Sequence, residues 1–162
     1  MNDFYNFTNL GCWQQAKELA VEMYRISTDG NLKDDITMRN QLRESAISVV
    51  SNIAEGKEIG VDSEFIKFLV MAKTSAAGLR TRLIISRDLG YLAEGDFLDL
   101  EDKLIRILAM IGGLIRSIKK KADVKTDTRA DAKTDVKANV KDIKDDAKTD
   151  AEETQGVQDI PQ

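Results

Sequence analysis

The sequence of 162 residues contains no histidine, a single cysteine and a single proline, and each shortage excludes a class of protein. Without histidine the chain cannot form a Ser-His-Asp triad, a histidine general base or a histidine-ligated metal site. One thiol, that of Cys12, can neither close an internal disulfide nor complete a thiolate zinc site. We therefore expect a protein without catalytic residues, metal or cofactor, and not an enzyme.

Long apolar runs and an excess of positive charge are also missing. The longest mostly apolar run, residues 107–115, is far shorter than the roughly 20 residues that a membrane-spanning helix needs, and we expect a cytoplasmic protein with no membrane partner. Residues 1–120 carry 16 Lys and Arg against 17 Asp and Glu, a net charge of −1. A nucleic-acid-binding domain usually carries a clear basic excess, so this balance favours a protein partner.

What the sequence has in abundance is helix-forming residues, and its one proline is Pro161. The apolar periodicity predicts four helices, over about 11–27, 34–55, 63–89 and 96–121. Short connections then predict an all-α protein, an antiparallel up-down-up-down four-helix bundle. The predicted end signals are Asp34 or Asp35 before helix 2, Gly56 after it, Asp62 or Ser63 before helix 3, and Gly90 after it. The predicted inward residues of helix 1 are Trp13, Ala16, Ala20, Met23 and Tyr24.

Composition changes near Lys121. Residues 1–121 hold nearly all the large apolar side chains and are predicted to form the bundle. Residues 122–162 repeat Lys, Asp, Ala and Thr, with D-V-K-T-D at Asp123 and D-A-K-T-D at Asp131 and Asp146, and hold no aromatic residue. Since such a segment has little apolar surface to bury, we predict a disordered tail over 122–162.

Helix 2 carries a stripe of mostly small polar residues beside its apolar face. At 100° per residue the members of this polar stripe are Gln41, Ser45, Ser48, Asn52 and Glu55. Small polar side chains allow another helix to approach closely, and where they are buried they require hydrogen bonds. Two interpretations stay open: a structural hydrogen-bond network that fixes helix register, and a ligand or partner site.

The end of this stripe carries a recognisable motif, S-N-I-A-E-G at Ser51–Gly56. The supporting features, in order, are W-x-x-A at Trp13, Gln41-Leu42-Arg43, Glu64–Leu69 and Leu89-Gly90-Tyr91-Leu92. Over roughly residues 7–120 the chain resembles the four-helix-bundle proteins encoded in intervening sequences of bacterial large-subunit ribosomal RNA genes. That family is similar, more distantly, to accessory proteins of diversity-generating retroelements, pentameric bundles that bind a reverse transcriptase and nucleic acid. The resemblance implies a homo-oligomer, with a pentamer favoured, and RNA, DNA or a nucleic-acid enzyme as partner.

Helix 4 has more apolar surface than a single bundle requires. Its apolar residues cover about 260° of the helical wheel, whereas a bundle helix in a monomer needs about 100°. The excess forms a second seam at heptad spacing, Leu98, Ile105 and Gly112, which we predict to be an oligomer contact. The alternative is a monomer in which helix 4 is central.

Three cations follow one another at seven-residue spacing on helix 3: Lys73, Arg80 and Arg87. Repeated around an oligomer, they would form a ring able to contact a phosphate backbone; the alternative is a solvated helix face. The sequence thus predicts a homo-oligomeric accessory protein that associates with RNA, DNA or a ribonucleoprotein partner of the reverse-transcriptase type. The competing hypothesis is a protein–protein interaction scaffold with no nucleic-acid role.

Overall fold

The fold is built from four α-helices and two short 3-10 helices, with no strand in the part of the chain that is described. In this computed structural model the backbone is described for residues 6–153 and the side chains for residues 6–123. The helices are α1 (Gly11–Ile26), α2 (Ile36–Glu58), α3 (Asp62–Asp88) and α4 (Glu94–Glu153), and the 3-10 helices are Phe7–Asn9 and Gly30–Lys33. The predicted all-α class with four helices is confirmed.

Several predicted helix ends are found where local chemistry places them. Asp35 caps α2, its carboxylate accepting the Met38 N–H at 2.9 Å. Gly90 follows α3 with φ +72°, and the Gly90 and Tyr91 amides donate to the carbonyls of Arg87 and Ser86, each at 2.8 Å. This pair of bonds closes the helix in a Schellman motif, which needs the left-handed conformation that glycine tolerates.

Two other predicted ends are wrong. The residue before α3 is Val61, which makes no side-chain cap, and Asp62 instead lies in the first helical turn with Glu64. Helix α2 does not end at Gly56 but continues to Glu58, and the glycine with positive φ is Gly60, at +73°. Gly56 therefore lies inside the helix, for a packing reason given below.

The C-terminal part of the chain differs from the prediction in helix length. Helix α4 extends to Glu153, whereas its end was predicted near Lys121; no glycine or proline interrupts the sequence between these residues. The predicted tail disorder concerns mainly residues 124–162, whose side chains lie outside the described residues. The chain divides into two units, Met1–Ile118 and Lys119–Gln162.

Helical periodicity places one row of each helix in a common core. Its fully buried large side chains are Met23, Leu32, Leu42, Ile53, Leu69, Leu79, Leu83, Leu100, Leu104, Ile107 and Ile111. Cys12 joins this core, and burial raises the pKa of its thiol. Tyr24, predicted to point inward, is instead 46% exposed, and its ring lies beside the guanidinium of Arg43.

Contacts between helices give their relative directions. From α2 to α3, Gln41 pairs with Arg82 and Ser48 with Ser75, so these two helices run in opposite directions. From α3 to α4, Arg80 pairs with Glu101 and Arg87 with Glu94, which shows the same relation. Helix α1 contacts α2 through Ser27 and Arg43, and α4 through Glu22 and Lys103. The α1–α2 side of the bundle therefore lies opposite the α3–α4 side.

Across the described helices we find none that is long and apolar enough to span a lipid bilayer.

Candidate interaction surfaces

The polar stripe of α2 lies at the seam between α2 and α3. Three of its five residues line a groove of about 360 Å³ there, and a fourth, Asn52, is hydrogen-bonded to one of them. The groove is lined by Gln41, Glu44, Ser45, Ser48, Thr74, Ser75, Gly78 and Arg82. Every residue in this set is polar or glycine, and its middle is formed by the short side chains of Ser45, Ser48 and Ser75.

A short chain of hydrogen bonds closes the middle of the α2–α3 seam. Asn52 is buried, and its side-chain amide donates to the Ser48 carbonyl at 2.7 Å and to the Ser48 hydroxyl at 3.3 Å. The Ser48 hydroxyl in turn contacts the Ser75 hydroxyl on α3 at 2.9 Å. Because a buried polar group without a partner is costly, this chain favours one helix register over its neighbours.

The ends of the polar stripe behave differently from its middle. The Gln41 side-chain oxygen accepts from Arg82 at 3.2 Å, and the Ser45 hydroxyl donates to the Gln41 carbonyl at 2.7 Å. Arg82 reaches across Gly78, where an added Cβ would lie 2.8 Å from the guanidinium. Glu55 is exposed, and its side chain makes no hydrogen bond or ion pair with residues 6–123. The structure thus brings four of the five residues together at the seam and leaves Glu55 in solvent.

Gly56 is the residue of this seam whose role the sequence analysis misjudged. A Cβ added to Gly56 would lie 2.4 Å from the Cβ of Phe68 and 3.0 Å from the ring of Phe65. Such distances are impossible for real atoms, so only glycine allows α2 and α3 to approach this closely. The spacing itself carried a signal, since Gly56 continues the row of small residues through Ser45 and Asn52.

The predicted cation stripe lies on the α3–α4 side, but two of its members are neutralised within the chain. Arg80 pairs with Glu101 at 2.7 Å. Arg87 pairs with Asp88 at 2.8 Å, and its guanidinium carbon lies 4.5 Å from the ring centre of Phe97. The hydrogen bond to Asp88 raises the pKa of Arg87. Only Lys73 of the three makes no ion pair with a described residue.

The two apolar seams of α4 have different surroundings. The first seam is buried or packed against the core and consists of Phe97, Leu100, Leu104, Leu108, Ile111, Ile115 and Ile118. In the second seam Leu98 is 53% exposed and Ile105 is 48% exposed. An added Cβ at Gly112 would meet only Arg116 of the same helix, at 3.6 Å, so nothing near it among the described residues requires glycine.

Tyr91 is the aromatic residue that directly follows Gly90 in the Schellman motif of α3. Its ring is half-buried against the core, and its hydroxyl donates to Asp35 at 3.2 Å. Burial and this hydrogen bond raise the pKa of Tyr91. The side chain therefore connects the α3–α4 loop to the start of α2.

A third cluster, on the α1–α2 side, was missed by the sequence analysis. The guanidinium of Arg43 lies 4.7 Å from the centre of the Tyr24 ring, and its Nε donates to the buried Ser27 hydroxyl at 2.7 Å. One helical turn earlier, Arg39 donates to the Lys33 carbonyl at 2.9 Å. The missed signal was the spacing of Arg39 and Arg43, which places both on one face of α2.

Among the described residues, no group of three or more Cys, Asp or Glu side chains is arranged to hold a metal ion.

Comparison with known proteins identifies the family of the chain. A model of the 23S rRNA-intervening sequence protein family matches residues 8–113, about two-thirds of the chain. The chain belongs to this family. A crystal structure of a protein of unknown function from the S23 ribosomal protein family, from Bacteroides thetaiotaomicron, has a similar fold, with a TM-score of 0.59 and 20% identity. The similarity covers 64% of this chain and 97% of that one. No curated protein matches the chain.

The match to the 23S rRNA-intervening sequence protein family ends before the second unit begins. The polar stripe, the cation stripe and the Arg43 cluster all lie within residues 8–113. The first seam of α4 extends beyond this range, to Ile118. The resemblance predicted from S-N-I-A-E-G is thus confirmed for the family, while the more distant likeness to retroelement accessory proteins stays a prediction.

Proposed function

We propose that the chain is a non-enzymatic accessory module that assembles with copies of itself through its α3–α4 side. The observation that carries this proposal is the second seam of α4. Leu98 and Ile105 lie one heptad apart, and each leaves about half of its side chain in solvent. Burying such side chains against a second copy is favourable by roughly 25 cal/mol per Å² of apolar surface.

Helix α3 supplies matching surface on the same side. Val70, Ala77 and Ile84 follow each other at seven-residue spacing, and Val70 is 50% exposed. The ion pair of Arg80 and Glu101 joins α3 to α4 on this side of the bundle. A surface with apolar stripes on both flanks and neutralised charges between them has the composition of a subunit interface.

The glycines of α4 add independent support. Gly112 and Gly113 each cost about 1 kcal/mol relative to alanine within a helix. The described surroundings of both contain only the Arg116 side chain, at 3.6 Å or farther. A helix of another copy passing at Gly112, the third position of the Leu98 seam, would account for the missing side chain.

The subunit number follows from resemblance and not from the described residues. A pentamer is favoured because the retroelement accessory proteins that the family resembles are pentamers. Five α3–α4 sides arranged around one axis would leave the five α1–α2 sides facing outward.

The test is the mass of the full chain by light scattering coupled to gel filtration at micromolar concentration. The wild-type chain should be a homo-oligomer, and the double variant Leu98→Glu/Ile105→Glu should have a lower mass with its helix content retained. The matched control is Ile36→Glu, which changes an exposed isoleucine on α2, outside the α4 seam. A monomeric wild type, or equal masses for all three proteins, would contradict the proposal.

Association of the α3–α4 side with RNA, DNA or a ribonucleoprotein is the second candidate, supported by the resemblance. The ion pairs of Arg80 and Arg87 oppose it, since a phosphate would have to displace their carboxylates. Lys73 of the cation stripe supports the nucleic-acid candidate, because this lysine has no ion pair with a described residue. A triple variant with Glu at Lys73, Arg80 and Arg87 that binds labelled RNA as well as the wild type does would eliminate this candidate.

A further inference from the structure

The α1–α2 side carries two arginines whose partners are not acidic. The Nε of Arg43 donates to Ser27, its Nη2 lies 3.5 Å from the Tyr24 carbonyl, and its plane covers the Tyr24 ring. Arg39 donates one Nη to the Lys33 carbonyl, and its buried Nε has no hydrogen-bond partner. Within residues 6–123, neither guanidinium has a carboxylate at ion-pair distance. Both therefore keep their full positive charge.

The acidic residue next to Arg43 in the sequence does not form an ion pair with either arginine. Glu44 follows Arg43 directly in sequence, but it lines the α2–α3 groove, which is a different face of the helix. On the opposite side of the bundle, by contrast, Arg80 and Arg87 both contact carboxylates. Unlike Arg80 and Arg87, the two arginines of the α1–α2 side therefore have no carboxylate partner among the described residues.

The immediate surroundings of Arg43 hold its guanidinium in place. Ser27 is fully buried, and its hydroxyl donates to the Tyr24 carbonyl at 3.0 Å while accepting from Arg43. A guanidinium fixed in this way loses little side-chain entropy when it binds an anion. The Tyr24 ring beside it is 46% exposed, so an aromatic surface and a fixed cation lie next to each other.

We propose that the α1–α2 side binds single-stranded RNA, with phosphates on Arg39 and Arg43 and a base stacked at Tyr24. Side chains four residues apart on a helix have Cβ atoms about 5–6 Å apart, so one strand can contact both arginines. Proteins that bind single strands combine cations that follow the backbone with aromatic rings on which bases stack. The surface is distinct from the self-assembly surface, and the proposal does not depend on assembly.

An acidic protein segment is the competing partner, and the geometry favours RNA over it. A carboxylate needs only the charge of the arginines, whereas a nucleotide uses both the charge and the exposed ring beside it. The same pair of features also predicts modest affinity, since a few phosphate contacts give strongly salt-dependent binding.

The experiment measures fluorescence anisotropy of a labelled 20-nucleotide oligouridine with the full chain at about 50 mM salt, the low end of the range in which phosphate contacts dominate. The wild type should bind, and Arg39→Gln/Arg43→Gln should lose at least tenfold in affinity. Tyr24→Leu should lose at least about threefold and Tyr24→Phe should bind as the wild type does, because the ring and not the hydroxyl stacks. The matched control, Arg80→Gln/Arg87→Gln, removes two arginines from the opposite side and should change affinity less than twofold.

Four results would overturn the proposal. They are the absence of wild-type binding, unchanged affinity in the Arg39 and Arg43 variant, an equal loss in the Arg80 and Arg87 control, and displacement of the RNA by polyglutamate at equal charge concentration. The Tyr24→Leu and Tyr24→Phe pair keeps the test decisive if the arginine variant does not fold, since Tyr24 is half exposed. Equal affinity of that pair would then exclude stacking.

Discussion

The α2–α3 seam and the α3–α4 side both appear in the sequence as a row of polar residues on one helix face. At the seam the polar side chains are short, bond to each other, and lie where Gly56 lets two helices touch. On the α3–α4 side they are long, form ion pairs in solvent, and lie beside an exposed apolar stripe. The first row is thus a contact between two helices of one bundle, while the second lies at the surface where we propose assembly.

The largest expected effect tests the close approach at the seam. Gly56→Ala places a methyl group where Phe68 already lies, so we expect the free energy of unfolding to fall by about 3 kcal/mol, the upper range for overpacking. Urea denaturation followed by circular dichroism measures it. The control is Gly95→Ala, which has open space around it and gains helix propensity. If both variants are equally stable, the seam is looser than described.

The next prediction concerns the hydrogen-bond chain of the same seam. Asn52→Leu removes the donor to Ser48 and overfills the contact, which should cost about 1–3 kcal/mol. Lys67→Ala, an exposed change on α3, should cost less than about 0.5 kcal/mol. The two are compared by thermal unfolding. Wild-type melting of Asn52→Leu would mean that the polar stripe does not determine stability.

A third substitution separates folding from assembly on the α3–α4 side. Gly112→Ala adds a methyl group that meets only Arg116 among the described residues, so the stability of the isolated bundle should be unchanged or slightly higher. The same side chain should block a second copy and raise the dissociation constant of the oligomer at least tenfold, about 1.4 kcal/mol. Sedimentation over a concentration series measures it. Unchanged assembly would place the interface elsewhere.

The smallest expected effect is that of the exposed ion pair. Arg80→Met should change the free energy of unfolding by about 0.2–1 kcal/mol, as for other solvent-exposed pairs. A double-mutant cycle with Glu101→Gln isolates the coupling, which should shrink as salt is added because the charges are screened. A coupling well above this range would show that the α3–α4 side contributes to stability as the seam does.

Much of the fold could be predicted from local pattern. The periodicity of apolar residues predicted the four helices, Asp35 was one of the two candidates for the α2 cap, and Gly90 was recognised as a stop. Each of these signals depends on chemistry within one or two turns. The α2 end was misjudged because two glycines, Gly56 and Gly60, carry the same local signal. Gly60 has the positive φ, whereas Gly56 is required by its contact with Phe68, a residue of another helix.

The candidate surfaces were predicted less completely. The second seam of α4 was visible in sequence because its excess of apolar residues is a property of one helix. The ion pairs of the cation stripe on α3 were not visible in the sequence, because Glu101 and Glu94 belong to another helix, α4. The cluster at Arg43 was missed altogether, because Tyr24 and Ser27 join it from α1.

The sequence by itself determined that this chain is an all-α member of its family, and it excluded histidine chemistry and internal disulfides. These conclusions rest on composition and on contacts between residues close in the chain. Only the tertiary structure decided which polar residues are satisfied, which arginines are neutralised and which glycine is required by contact. The physical reason is that charge, hydrogen bonding and steric space are set by the neighbouring helix, and a helix presents the same periodicity whichever neighbour it meets.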